Sequence, residues 1–251
     1  SLTGKGHATD VAVLLGLSGE DPETIDVREI EDIIKDIELF KTIKLNGIKE
    51  VKFSSENLIF NKEFLSYNPN GMTFTGYSGG VEISKETFFS IGGGFIIQEE
   101  DNLVEEIEIT KHNFPYPVNR ALQLEEYCEL ENLQISDIVY ANELVLNPAE
   151  TIDSELTRIW ETMLECMYIG CHTSGYLPGG LNVKRRAFDT HQRLIKDSSY
   201  KNPQEWIAAI RSTEVKFREI LKWVSCLALS VNEVNASLGR VVTAPTNGSA
   251  G

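Results

Sequence analysis

The sequence predicts an α+β N-terminal domain, made of helices and a small antiparallel sheet, followed by an all-α domain. Residues 49–98 contain short β-branched or aromatic segments separated by Asn-Pro-Asn-Gly and Ser-Gly-Gly turns, as antiparallel strands do. After the segment KHNFPYPV, residues 111–118, the strand signal ends and apolar residues recur at helical spacing. We therefore expect the two domains to span residues 1–115 and 116–251.

The first domain is expected to begin with two helices, followed by a meander of at least four strands. The apolar run over residues 11–17 follows the candidate caps Thr9 and Asp10 and indicates a short buried helix, although a buried strand fits its period almost as well. Residues 27–40 place four isoleucines at helical spacing behind the cap Asp26. The SIGGGF string within the strands favours a β-bulge over a close approach to a ligand.

The second domain is expected to contain six helices. Pro148 separates the second of them from the third, and Gly170 is the expected end of the third. The predicted helices cover residues 119–130, 137–146, 151–170, 183–196 and 203–237, with two helices in the last range.

Composition and charge exclude several classes of protein. The chain is 41% hydrophobic and 24% charged, as globular proteins are. No apolar run approaches the ~18 residues that a membrane helix requires, and the sequence shows no secretory signal pattern. A cytoplasmic protein without a membrane partner is expected. The net charge of −15 disfavours nucleic acid as a partner.

The four cysteines and three of the histidines are expected to be structural. Cys128, Cys166, Cys171 and Cys226 are too scattered for a disulfide scaffold, and no CxxC motif occurs. On a helix, Cys166 and Cys171 lie roughly 140° apart, so they do not share a face. His112, His172 and His191 have no companion at ligand spacing. No complete metal or cluster site is therefore expected in this chain.

The first ten residues, SLTGKGHATD, are the first candidate site. Glycines flank Lys5, so the backbone can bend and bring its amides close to a ligand. A histidine side chain, here His7, can exchange a proton near neutral pH, and Asp10 is close enough in sequence to orient it. The spacing does not match a phosphate-binding P-loop. An ordinary polar turn with a helix cap is the alternative interpretation.

The string LPGGLNVKRRA, residues 177–187, is the second candidate. The predicted helix starts near Asn182, so Lys184, Arg185 and Arg186 fall in its first turn, where the helix dipole disfavours cations. A bound carboxylate or an acidic partner surface would offset these charges. Residues 176–240 are basic overall, with 11 Lys and Arg against 6 Asp and Glu. A solvated helix surface explains that charge equally well.

The end of the chain, VNEVNASLGRVVTAPTNGSAG, is the third candidate. Its last loop offers hydroxyl, amide and backbone donors to a small polar ligand, from Thr243, Thr246, Asn247 and Gly248. Glu233 lies on the preceding helix between two asparagines.

Taken together, these strings resemble the bacterial iron–sulfur L-serine dehydratases, in the form that joins a β domain and an α domain in one chain. The matching strings, in chain order, are SLTGKGHATD, SIGGGF, LPGGLNVKRRA, VNEVNASLGRVV and TAPTNG. The resemblance implies that L-serine loses water and ammonia to give pyruvate. It also implies a [4Fe–4S] cluster, bound by three cysteines, whose open iron acts as a Lewis acid on the serine hydroxyl.

Two further motifs of that family have no counterpart in this sequence. The GPSSSHT motif is expected before Ser1, and the cluster cysteines are expected beyond Gly251, in GCQGEVG and CDP…VPC strings. The chain is therefore expected to be truncated at both ends and inactive alone, with no metal ligand of its own. A homodimer is expected for the enzyme.

The resemblance and the residue chemistry together assign roles within the site. His7 is the candidate base for the α-proton, with Lys5 and Asp10 setting its charge and orientation. The candidate substrate-binding residues are Ser1, Thr3, Asn182, Arg185, Arg186, Thr243, Thr246, Asn247 and Gly248.

Two alternatives remain open from the sequence. A pyridoxal-phosphate serine or threonine dehydratase would catalyse the same reaction, but it needs a Schiff-base lysine on an α/β scaffold, which the all-α second half disfavours. The N-terminal domain could instead be an amino-acid-sensing or regulatory module without catalysis of its own. Serine binding to residues 1–115 alone would indicate such a sensor.

Overall fold

The computed structural model describes residues 8–92, 95–99, 113–178, 181–196, 198–213 and 216–243. The backbone divides into two compact units, the first built mainly from the described residues up to 99 and the second from residues 113–242. Helices and small antiparallel sheets make up the first unit, and the second is helical. The predicted fold class is confirmed.

Two helices open the first unit, α1 (Thr9–Ser18) and α2 (Ile30–Phe40). The ambiguous apolar run is thus a helix. The predicted caps are wrong. Helix α1 begins after Ala8, whose φ of 55° is left-handed, and Asp10 lies within its first turn. Asp26 does not cap α2, because its carboxylate binds the backbone N–H and the guanidinium of Arg28 before that helix begins.

In the described part of this unit, five strands follow, in two sheets. Strands β1 (Thr42–Leu45) and β2 (Lys49–Lys52) form a hairpin. Strands β3 (Gly71–Ser78), β4 (Val81–Gly92) and β5 (Phe95–Gln98) form a separate antiparallel meander.

The expected single meander is therefore wrong in its connectivity. The chain between β2 and β3 contains a short 3₁₀ turn and loops instead of a pairing strand. A register shift between Ser90 and Gly92 confirms the predicted bulge. In this unit the core lies where Leu14 and Ile37 from the helices meet Ile43 of β1.

The second unit contains six helices in its described part. Their bounds are α3 (Ala121–Glu131), α4 (Ile135–Glu143), α5 (Ala149–His172), α6 (Ala187–Ile195), α7 (Pro203–Ser212) and α8 (Phe217–Asn235). Helices α5, α6, α7 and α8 share one hydrophobic core. Its buried residues are Leu164, Cys171, Ile195, Trp206, Trp223 and Cys226. No helix in the described ranges is both long and apolar enough to cross a membrane.

The predicted helix boundaries in this unit differ from the observed ones by up to four residues, and two of the differences bear on the site. Gly170 does not end α5, which continues to His172. Gly170 serves the crossing of α5 with α8 instead, because a Cβ there would lie 2.4 Å from the carbonyl oxygen of Ser230. The helix expected from residue 183 begins only at Ala187.

Candidate functional site

The basic segment of residues 181–186 lies ahead of α6 and not within its first turn. Tyr176 and Lys184 form an antiparallel bridge, and the N–H of Arg185 donates to the carbonyl of Gly175 at 2.9 Å. Asn182 is left-handed, with a φ of 51°. These contacts hold the backbone out of the helical conformation until Arg186, which is the N-cap residue of α6. The prediction that Lys184, Arg185 and Arg186 occupy the first turn is therefore wrong.

A carboxylate from α8 binds the start of α6. Oε1 of Glu233 accepts hydrogen bonds from the backbone N–H groups of Arg186, at 2.7 Å, and Ala187, at 3.2 Å. A helix N-terminus presents unpaired N–H groups and partial positive charge, both of which a carboxylate satisfies. Part of the negative charge expected opposite the three cations is thus supplied by the protein itself.

The three neighbouring cations have different surroundings. Lys184 lies 2.8 Å from a carboxylate oxygen of Asp189, a contact that raises the pKa of the lysine and lowers that of the acid. Arg185 is only 8% exposed, and it donates to Ser237 Oγ at 2.6 Å and to the carbonyl of Glu233 at 3.4 Å. Arg186 is exposed, and within the described ranges its guanidinium has no hydrogen bond or ion pair. Of the three, Arg186 is available to a ligand carboxylate.

The other predicted site residues are placed as follows. Asn182 is exposed on the loop before Arg185, and Thr243 is exposed beyond α8. Asp10 is half-buried in α1, where its carboxylate accepts from the N–H of Val11 at 3.1 Å. The remaining candidates lie outside the described residues; they are Ser1, Thr3, Lys5, His7, Thr246, Asn247 and Gly248.

A groove of about 410 Å³ lies between α1 and β3 in the first unit. Its walls are formed by Thr9, Ala12, Val13, Gly16, Leu17, Met72 and Phe74. Among the residues that the structure describes, no charged side chain lines this groove.

The cysteines do not fit an iron–sulfur cluster. All four lie in helices as predicted, and Cys166, Cys171 and Cys226 are buried. The sulfur atoms of Cys171 and Cys226 are 4.0 Å apart; this contact and burial raise the pKa of the Cys171 thiol. Burial also raises the pKa of Cys166. Iron binds thiolates, and the described residues contain no group of three His, Cys, Asp or Glu side chains suited to a metal ion.

Two neighbouring histidines, the buried His191 and the half-buried His172, lie in the helical unit. Nε2 of His191 accepts from the indole N–H of Trp206 at 2.8 Å, and its ring lies 4.7 Å from that of His172. Burial, and secondly the proximity of His172, lower the pKa of His191 to about 4. Nε2 of His172 is 2.8 Å from the hydroxyl of Tyr200. His191 is thus held in the core and His172 packs beside it, whereas His112 lies outside the described residues.

Sequence reasoning missed the contact between Glu233 and the start of α6. The signal was present, because Glu233 continues the buried face of α8 formed by Trp223, Cys226 and Ser230. A carboxylate at a buried helical position requires hydrogen-bond donors from another element. The pattern does not show which element supplies them.

Comparisons with known proteins bear on the whole chain. Residues 1–101 match the family model for the serine dehydratase beta chain, and residues 130–251 match the model for the alpha chain. An L-serine dehydratase of Haemophilus influenzae is 38% identical to 100% of this chain, over 52% of its own length. L-serine dehydratase 1 of Escherichia coli is 37% identical over the same shares. An L-serine dehydratase of Streptomyces coelicolor is 35% identical over 99% of this chain and 52% of its own.

The chain thus spans about half the length of these relatives. The two family models leave only residues 102–129 unmatched, and the similarity to the relatives extends along the whole chain. On these grounds the chain belongs to the serine dehydratase family.

Proposed function

We propose that this chain supplies substrate-binding and proton-removing groups for the β-elimination of water from L-serine, which yields pyruvate and ammonia. The observation that carries the proposal is the exposed guanidinium of Arg186, presented on a segment that Arg185 and Glu233 anchor to α8. A planar guanidinium binds a carboxylate through two parallel hydrogen bonds. The relatives that match along the whole chain are named L-serine dehydratases.

The reaction requires two bonds to break in serine. His7 removes the proton from Cα, with Lys5 and Asp10 setting its charge and orientation, and the bond from Cβ to the hydroxyl oxygen breaks to release water. The resulting aminoacrylate tautomerises to an imine, which water hydrolyses to pyruvate and ammonia. The substrate is held by Ser1, Thr3, Asn182, Arg186, Thr243, Thr246, Asn247 and Gly248.

The finer features implied by the family resemblance belong to the same proposal. The enzyme is a cytoplasmic homodimer, and its cofactor is a [4Fe–4S] cluster whose ligands are not the four cysteines of this sequence. The burial of three of those thiols in helices supports only the exclusion of these cysteines as ligands.

The cofactor assignment is tested by anaerobic incubation of residues 1–251 with iron and sulfide. We expect no stoichiometric cluster and no pyruvate from serine, because a raised pKa makes the thiols of Cys166 and Cys171 resist ionisation. Iron and sulfide per chain are measured, with the H. influenzae relative reconstituted in parallel as the positive control. Four irons per chain together with serine turnover would show that the cysteines of this chain bind the cluster.

The activity is tested with a chimera in which residues 1–251 replace the matching half of the H. influenzae relative. We expect pyruvate formation from L-serine by the reconstituted chimera. Binding of L-serine to residues 1–251, measured by calorimetry, provides a second readout that does not depend on the junction. A folded, reconstituted chimera without activity, together with absent serine binding, would contradict the proposed function.

A further inference from the structure

We propose that Glu233 is a positioning residue, which holds residues 185–187 so that the guanidinium of Arg186 faces the carboxylate of the amino-acid substrate. The inference rests on the proposed function, in which Arg186 binds serine. Glu233 itself is only 5% exposed and acts through the backbone of Arg186.

Glu233 fixes this backbone through two hydrogen bonds. Its Oε1 atom accepts the N–H groups of two consecutive residues, Arg186 and Ala187, at the point where the chain enters α6. Helix α6 has no side-chain cap from its own N-cap residue. The carboxylate therefore replaces a local cap and fixes the direction in which the chain leaves residue 186.

The same end of α8 also determines the position of Arg185. Its guanidinium donates to the carbonyl of Glu233 and to the hydroxyl of Ser237, one turn further along. Arg185 is thus attached to this end of α8 through its side chain, and Arg186 is attached to it through its backbone N–H. As a result Arg185 is buried and the side chain of Arg186 is exposed.

Because of this arrangement, the side chain of residue 186 does not need to cap α6. An N-cap position is ordinarily occupied by Ser, Thr, Asp or Asn, whose side chain binds the first N–H groups of the helix. Because Glu233 supplies that bond from α8, residue 186 can be an arginine that points elsewhere. The arrangement has a cost, since Oε2 of Glu233 is buried without a hydrogen-bond partner among the described residues. A purely structural cap would avoid this cost with a local serine.

The test compares the affinity for L-serine of the full chain and its variants, together with amide hydrogen exchange at residues 186 and 187. Glu233→Leu removes the acceptor, and Glu233→Gln keeps an acceptor without the charge. We expect Glu233→Leu to raise the Kd for L-serine about 10- to 100-fold, as Arg186→Met does, and Glu233→Gln about 3- to 10-fold. Exchange of the two amides should accelerate about 10-fold or more in Glu233→Leu, with or without serine.

Two control variants separate positioning from general damage. Ser237→Ala breaks the bond from Arg185 just beyond the C-terminal end of α8, without touching the amides of residues 186 and 187. It should lower the melting temperature and leave the Kd within about two-fold of wild type. Arg193→Met removes a guanidinium from the exposed side of α6 and should change neither quantity.

The outcomes distinguish this inference from the proposed function. Unchanged serine affinity in Glu233→Leu, beside a large loss in Arg186→Met, overturns the positioning role and leaves the function standing. An equal loss of affinity in Ser237→Ala and Glu233→Leu also overturns it, because general destabilisation then explains both. Absence of serine binding by the wild-type chain overturns the proposed function and, with it, the positioning role of Glu233 toward the substrate.

Discussion

Arg185 and Arg186 carry the same side chain one residue apart, yet their environments differ. The guanidinium of Arg185 is bound to groups on α8, whereas that of Arg186 is exposed. A buried donor that loses its partners weakens folding, and an exposed one does not. The difference separates a structural arginine from a ligand-binding one within a single motif.

We expect Arg185→Met and Arg186→Met to affect different quantities. Arg185→Met should lower the melting temperature by about 3–10 °C, because Ser237 and the carbonyl of Glu233 lose a buried donor. Arg186→Met should leave the melting temperature within about 1 °C and raise the Kd for L-serine about 10- to 100-fold. Thermal melts and calorimetry measure the two effects. A stability loss confined to Arg186→Met would reverse the assignment.

His7 is the residue on which the proposed chemistry depends most directly. In the active chimera, His7→Ala should slow pyruvate formation by ~10²–10⁴-fold, the usual effect of removing a general base. The absorbance of the bound cofactor and the Kd for serine serve as controls, and both should be close to wild type. Activity within a few-fold of wild type would show that another group removes the α-proton.

At the scale of elements, the crossing of α5 and α8 places the residues of the candidate site. Gly170 lies at this crossing, next to the backbone of Ser230. Glu233 follows Ser230 on α8 by one turn and reaches the start of α6. The spacing of α5 and α8 therefore affects the segment that carries Arg186.

Gly170→Ala tests this close approach. The new Cβ would lie 2.4 Å from a backbone oxygen, so the two helices must separate, and we expect a loss of about 1–3 kcal/mol in the free energy of unfolding. Gly16→Ala in α1 is the matched control, since among the described residues no atom outside the local backbone of α1 lies within 4 Å of its Cβ position. That substitution should be neutral or stabilising by up to about 1 kcal/mol. Chemical denaturation measures both, and equal effects would contradict the packing argument.

At the scale of the whole molecule, His191 makes stability depend on pH. Its pKa is lowered from 6.5 to about 4 in the folded state, first by burial and then by His172. The unfolded chain therefore binds more protons between pH 6.5 and pH 4, so stability falls as the pH decreases through that window and is unaffected above it. Tyr200, Trp206 and Trp223 also face the ring, and none of them carries a charge in this range.

His191→Gln keeps an acceptor for Trp206 and removes the titrating ring. Between pH 7 and pH 5 the wild type should lose about 1–2 kcal/mol of unfolding free energy more than the variant does. Urea denaturation at a series of pH values measures the difference. The carboxylates common to both proteins cancel in this comparison, so parallel pH profiles would show that His191 does not contribute.

Much of this protein follows from short-range patterns. Apolar spacing predicts the helices of the second unit, and turn residues predict the strands. The glycine string predicts the bulge near Ser90, and the motif strings indicate the family. These patterns are local, because the preference of a residue for helix, strand or turn depends on neighbours within about one turn or one strand. Fold class and family are therefore determined by the sequence itself.

Other features depended on contacts between distant residues. Arg185 binds groups 48 and 52 positions away, and Glu233 caps a helix whose N-cap residue lies 47 positions earlier. The role of Gly170 depends on Ser230 in another helix. No local pattern tells a glycine that ends a helix from one that admits a neighbour, or a buried arginine from an exposed one. Tertiary packing decides both, because burial and hydrogen-bond partners are properties of the surfaces that meet.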